Sequence, residues 1–176
     1  MRLNTLKTIL GFYWRSLIGK CTPLQHAANS LDDIFNYLPI SDVLSTSGQP
    51  TAKQFALIRD AGFTTVINLA PHNAENALAD EASVLSALRI RYVHIPVDFK
   101  QPSAADFDQF VARMQAVSNQ KVWVHCAANM RVSAFVYRYR RDVLDDDRQQ
   151  ARNDLQKIWE PFGVWKDFIA TEVTQR

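Results

Sequence analysis

Apolar residues recur at Leu3, Leu6, Leu10, Tyr13, Trp14 and Leu17, close to helical spacing, with Asn4, Lys7, Thr8 and Arg15 towards another side. The pattern predicts an amphipathic helix over Met1–Lys20. Thr22 to Tyr37 is polar and shows no clear period, and Leu38–Ser45 then supplies a first strand. Ser47-Gly-Gln-Pro50 reads as a turn. Thr51 with Gln54 forms a capping box that opens a helix over Phe55, Ile58 and Ala61, and Gly62 is placed to end it. Strands follow over Phe63–Leu69 and Arg91–Val97, with a helix over Ala77–Leu88 between them. Gln101-Pro102-Ser103 leads into the next helix, where Ser103 and Asp106 have capping-box spacing. Val122, Trp123 and Val124 form a short buried-strand run, Ser133–Leu144 returns to helical spacing, and two closing helices, Ala151–Trp159 and Phe162–Val173, break at Pro161. This βα alternation, without internal repeat or low-complexity linker, predicts an α/β fold whose mostly parallel sheet of about four strands carries helices on both faces.

Composition narrows the picture. A chain of 176 residues with 47% hydrophobic and 22% charged residues fits one globular domain. A formal charge of +2, with no long Lys/Arg block, gives no ground for nucleic-acid binding. Cys21 and Cys126 stand far apart, so they form no disulfide framework, and no Cys/His spacing suggests a metal. A reducing, cytoplasmic setting suits a working thiolate. The first helix has three readings. It packs on the domain, or it makes a weak membrane-surface contact through residues 1–20, or it is a poorly cleaved export signal cut short by Arg15. Arg138, Arg140 and Arg141, with Asp142 and Asp145 to Asp147, predict a solvated salt-bridged face that includes an Arg141 with Asp145 pair. Trp159 and Trp165 read as packing residues.

Chemistry concentrates at Lys121-Val-Trp-Val-His-Cys-Ala-Ala-Asn-Met-Arg-Val-Ser-Ala-Phe135, where a buried strand runs into a Cys and then a helix. A loop joining a strand to a helix N-terminus turns successive backbone N–H groups into a small concavity, and the helix dipole adds partial positive charge. Cys126 at its entrance is a nucleophile whose thiolate that field favours. Arg131 offers a planar fork able to hold two oxygens of a tetrahedral oxyanion, which Lys could not do. Asp98 lies just beyond the Arg91–Val97 strand, and Gln49, His72 and Asn73 lie on loops where an open parallel sheet binds ligands, so they could rim the pocket.

His125-Cys126, Arg131 and Ser133 resemble the motif of the cysteine-dependent protein tyrosine and dual-specificity phosphatases. Two departures stand out: four residues, Ala127, Ala128, Asn129 and Met130, separate Cys from Arg where those enzymes have five, and Asn129 occupies their Gly position. Asn tolerates positive φ, so the second departure is mild. The shorter loop is similar to that of rhodanese-type sulfurtransferases. Together with Thr46-Ser-Gly-Gln-Pro-Thr51, Val66-Ile-Asn-Leu69 and Tyr92-Val-His-Ile-Pro-Val97, the chain resembles the bacterial phosphatase-like group called beta-lactamase hydrolase-like or DUF442, over roughly Asn36 to Phe168. The resemblance implies a three-layer tyrosine-phosphatase-like fold, with residues 1–35 as N-terminal helix and linker and 36–176 as the catalytic domain. It also implies phosphate-monoester hydrolysis without a cofactor or metal. Cys126 would attack phosphorus, Arg131 and the loop from His125 to Ser133 would bind the phosphate, and Asp98 would act as acid and then base. His125 would orient the loop, and Ser133 would assist the departing thiolate. A phosphorylated small molecule or a phosphoprotein would be the substrate. Sulfur transfer through a Cys126 persulfide, and a non-catalytic anion- or partner-binding module, stay open at this point, as does the oligomeric state.

Overall fold

The computed structural model describes residues 3–21, with side chains through Trp14, and residues 30–171. Leu17, Lys20 and Cys21 as side chains, the segment 22–29, and Val173 lie outside the described residues. The chain runs α1 (Leu3–Cys21), a 3-10 turn (Leu31–Asp33), β1 (Leu38–Ser41), β2 (Leu44–Ser47), α2 (Ala52–Asp60), β3 (Thr65–Asn68), α3 (Glu81–Ala87), β4 (Arg91–His94), α4 (Ala104–Gln115), β5 (Val122–His125), α5 (Met130–Asp142), α6 (Arg148–Ile158) and α7 (Val164–Ala170).

One five-stranded sheet has the order β1-β2-β5-β3-β4. Only β1 is antiparallel, pairing β2 with Leu38 opposite Thr46; β2, β5, β3 and β4 are parallel to one another. The extra strand arises because the apolar run expected as one strand folds back on itself between Ser41 and Leu44. Loops therefore leave the carboxyl ends of three central parallel strands side by side: Ser47, His125 and Asn68 are neighbours in register.

The two faces of β5 bury different neighbours, as strand alternation requires. Val122 and Val124 join a core with Phe107, Phe110, Phe135, Tyr139, Leu155, Trp165 and Phe168, beneath α4 to α7. Trp123 faces the other way, into Phe55, Ile58, Phe63, Val66 and Leu85 beneath α2 and α3. Local signals start and stop these helices as the sequence predicts. Thr51 and Gln54 close a reciprocal capping box, and Gly62 leaves α2 at φ +89°. Ser103 and Asp106 cap α4 the same way.

The solvated arginine face is overturned. Arg138, Arg140 and Arg141 are all buried, because α6 and α7 cover α5. Arg141 binds Asp142 (2.5 Å) and the carbonyls of Ile169 and Thr171, rather than Asp145. Arg140 bridges Asp146 and Asp154, both at 2.7 Å. Arg138 lies 4.0 Å over the Phe107 ring and 4.6 Å over Phe168. Periodicity in one helix cannot show that a later helix lies across its polar side. Trp159 and Trp165 are packing residues as expected, fully buried.

Candidate active site

β5 delivers His125 and Cys126 to the centre of the sheet's carboxyl edge, and α5 starts four residues after the Cys. Cys126 is buried and free of any disulfide. The turn into the helix is made at Asn129, which adopts φ 65°, ψ 1°, the left-handed conformation expected of the Gly position. Its side chain donates to Asn36 O at 2.7 Å and Thr46 Oγ1 at 3.0 Å, so it does not cap α5. The first-turn N–H groups, which have no intrahelical acceptor, are thus not capped by the Asn129 side chain.

Three asparagine and backbone contacts orient the loop. Ala127 O accepts from Asn76 Nδ2 at 2.9 Å and from Gln49 N at 3.3 Å, and Ala128 O accepts from Asn36 Nδ2 at 3.0 Å. Those contacts fix the position of the turn between β5 and α5, beside Gly48, which bridges Ala128. Gly48 packs against this turn so closely that a Cβ would stand 3.0 Å from Phe35 O and 3.1 Å from Ala127 O.

Arg131 sits in the first turn of α5, with its guanidinium 5.3 Å from the Phe99 ring. Its Nε is buried and has no hydrogen-bond partner among the described residues. Phe99 follows Asp98, so the ring contact ties the clamp to the loop that carries the candidate acid. Trp165 Nε1 donates to Phe99 O at 2.8 Å and fixes that loop from α7. Asp98 itself is exposed and accepts from Lys100 N at 2.9 Å. Asp106, by contrast, is engaged by both Ser103 N and Ser103 Oγ, which gives it a structural task.

A buried polar network lies beneath the loop. Glu81, in the first turn of α3, accepts from Asn68 Nδ2 at 2.9 Å and Gln49 Nε2 at 2.5 Å, and lies 3.3 Å from His125 Nε2. Burial by itself would raise the Glu81 carboxyl, but the hydrogen bond and charge of His125, with Gln49 and Tyr92, hold it down at about 2. The charge is returned to Tyr92, whose phenol is pushed up by burial and by the Glu81 carboxylate. His125 is fully buried beside Cys126, edge-on to the Phe55 ring.

The structure gathers His125, Cys126, Ala127, Ala128, Asn129, Met130, Arg131 and Ser133 in one turn, with the Asp98 loop joined to it through Phe99. The hydroxyl of Ser133 is already engaged, donating to Met130 O at 3.1 Å and accepting from Trp159 Nε1 at 3.2 Å. Gln49 points at Glu81 rather than lining a rim. His72 and Asn73 are exposed, and the His72 ring lies against His94, 3.9 Å between centroids. Asn76 makes that loop's contact with the Cys turn. Asn36, Asn76 and Glu81 escaped sequence reasoning because Asn36 and Asn76 reach the Cys turn across 92 and 51 residues, and Glu81 meets Asn68, Gln49 and His125 from a different element. Asn68, a lone polar residue in the buried run Val66-Ile-Asn-Leu69, was the one signal of a hidden network.

The comparisons agree with this fold. A family model described as "DSP-PTPase phosphatase fused to NAD+ Kinase" matches residues 17–162. A DUF442 phosphatase-type protein of Shewanella putrefaciens CN-32 is 30% identical, with a TM-score of 0.72 over 82% of this chain and 95% of that one. Pseudomonas aeruginosa TpbA, 24% identical, has a TM-score of 0.58 over 69% of this chain and 73% of its own. The catalytic core of the PP-IP phosphatase SIW14 of S. cerevisiae, 12% identical, shares the fold with a TM-score of 0.67 over 80% of this chain and 86% of that one. No curated protein matches the sequence. The expected DUF442 and tyrosine-phosphatase likeness is borne out, and by sequence and fold together this chain belongs to the DSP-PTPase phosphatase family.

Proposed function

We propose that this cysteine-dependent phosphatase hydrolyses phosphate monoesters through a phosphocysteine on Cys126. The observation that supports the reading is the tethered turn: Asn76 and Asn36 donate to the Ala127 and Ala128 carbonyls, and Arg131 Nε is buried without a partner among the described residues at the same helix N-terminus. The Cys126 thiolate attacks phosphorus, an S–P bond forms and the ester P–O bond breaks. Asp98 gives its proton to the leaving oxygen, which otherwise departs as a poor alkoxide. Water then attacks phosphorus, Asp98 takes a proton from it, and the S–P bond breaks to release phosphate and the thiolate. Arg131 and the loop N–H groups stabilise the oxygens that gain charge in both steps. His125, braced by Glu81, keeps the turn in place.

The substrate belongs to the class of phosphorylated small molecules or phosphoproteins. TpbA has been captured with pTyr, which supports a phosphoprotein as one candidate. The setting we infer is cytoplasmic, with a membrane-surface contact through residues 1–20; no helix of the described residues is long and apolar enough to cross a membrane. Residues 1–35 would then be an accessory helix and linker to a catalytic unit over 36–176.

Mass spectrometry of Cys126 after brief incubation with an aryl phosphate tests the mechanism. A phosphoryl adduct that disappears in Cys126→Ser is expected, with turnover abolished in both Cys126→Ser and Arg131→Lys while the fold is kept. Rapid formation of a stable Cys126 persulfide from thiosulfate, with no phosphoester hydrolysed, would replace this reading by sulfur transfer.

A further inference from the structure

Helix α1 docks through Thr5 and Thr8, which are buried, and through Phe12, which packs against the main core. Thr8 Oγ1 donates to Ile158 O at 2.7 Å, Asn4 Nδ2 donates to Gln156 O at 3.0 Å, and Glu160 N donates to Thr5 Oγ1 at 2.8 Å. Gln156 and Ile158 belong to the last turn of α6, where carbonyls lack helical donors. α1 therefore caps another helix with its hydroxyls and turns its apolar stripe to solvent. Leu3 is 66% exposed, Leu6 42%, Leu10 61%, Tyr13 56% and Trp14 66%. Leu10, Gly11, Tyr13 and Trp14 line an open apolar hollow on this side. A helix whose only task was to pack on the domain would face the other way.

We propose that the outer face of α1 lies on an anionic lipid surface. Charge selects this occupant. Residues 1–21 contain Arg2, Lys7, Arg15 and Lys20 and no Asp or Glu. With those four removed from the twenty Lys and Arg, and none from the eighteen Asp and Glu, the remainder of the chain is net acidic by two. The net positive charge of the chain thus lies within its first 21 residues, which include the exposed apolar stripe with Tyr13 and Trp14, the composition of a segment lying in the headgroup layer. A second copy fits worse, because a symmetric pair would set two like-charged helices face to face. The contact reaches the Cys turn through one side chain: Asn36 Nδ2 donates to Thr8 Oγ1 at 3.2 Å and to Ala128 O at 3.0 Å. Docking α1 on a membrane therefore holds the Cys turn close to that surface.

The test uses the full chain with vesicles of phosphatidylcholine, with and without phosphatidylserine, and reads binding rather than catalysis. Trp14 is the built-in probe, since Trp123, Trp159 and Trp165 are buried. Co-sedimentation with the phosphatidylserine vesicles is expected, with a blue shift of tryptophan emission that is lost in Trp14→Phe. Binding should fall about tenfold or more in Leu10→Glu with Trp14→Glu, and fall again as salt is raised. Absence of wild-type binding to phosphatidylserine vesicles overturns the proposal whatever the variants do. Equal binding to phosphatidylcholine alone overturns it too, as does a concentration-dependent dimer that Leu10→Glu with Trp14→Glu abolishes.

Discussion

Glu81→Gln isolates the brace beneath the Cys turn. The carboxylate is 5% exposed and accepts from Asn68 Nδ2 and Gln49 Nε2, with His125 Nε2 3.3 Å away. A Gln amide keeps one acceptor oxygen and must turn its NH2 towards another donor. Burial opposes the charge, but His125, Gln49 and Tyr92 outweigh it and lower the Glu81 carboxyl from 4.5 to about 2. A carboxyl lowered on folding contributes stability that is complete above its unfolded value and is lost as pH falls through its folded value. The window is therefore pH 4.5 down to about 2. The shift corresponds to about 3 kcal/mol at pH 7, falling to about 1 kcal/mol at pH 3. Urea unfolding of wild type and Glu81→Gln at both pH values measures it. The variant should be less stable by about 3 kcal/mol at pH 7, and the gap should close on acidification because the wild-type carboxyl then also carries a proton. A gap below about 0.5 kcal/mol at pH 7, or one unchanged at pH 3, would refute the reading of Glu81 as a charged brace.

Three other substitutions separate roles at the site. Asp98→Asn should slow hydrolysis of an alkyl phosphate by about 10²-fold or more and that of an activated aryl phosphate far less, because only the poor leaving group needs the proton; equal losses would remove Asp98 as the acid. Asp106→Asn should leave that ratio alone and lower stability by about 1 kcal/mol, read by thermal unfolding. Asn76→Ala removes the shorter of the two bonds to the Ala127 carbonyl, leaving Gln49 N, and should weaken vanadate or phosphate binding by about tenfold in calorimetry, with the loss seen in kcat more than in KM; unchanged anion affinity would show that the turn holds its shape without the tether.

What the sequence determined by itself was local. Helix starts at Thr51 and Ser103, the end of α2 at Gly62, the left-handed residue at Asn129 and the run from strand through Cys to helix all follow from neighbours a few residues apart. The alternation of strand and helix was enough to predict the layered α/β fold. Tertiary structure alone decided the rest. Asn36 and Asn76 reach the Cys turn across 92 and 51 residues, and Glu81 on α3 meets His125 at the end of β5 beside Asn68, its register neighbour on β3. The arginines of α5 illustrate the same limit, since an i,i+4 pattern reads as a solvated face until α6 and α7 are laid over it. The apolar stripe of α1 was legible, but which side met the domain was not. Hydrogen bonds offered by the end of α6 drew in the threonines and left the leucines outside, a preference set by partners about 150 residues away.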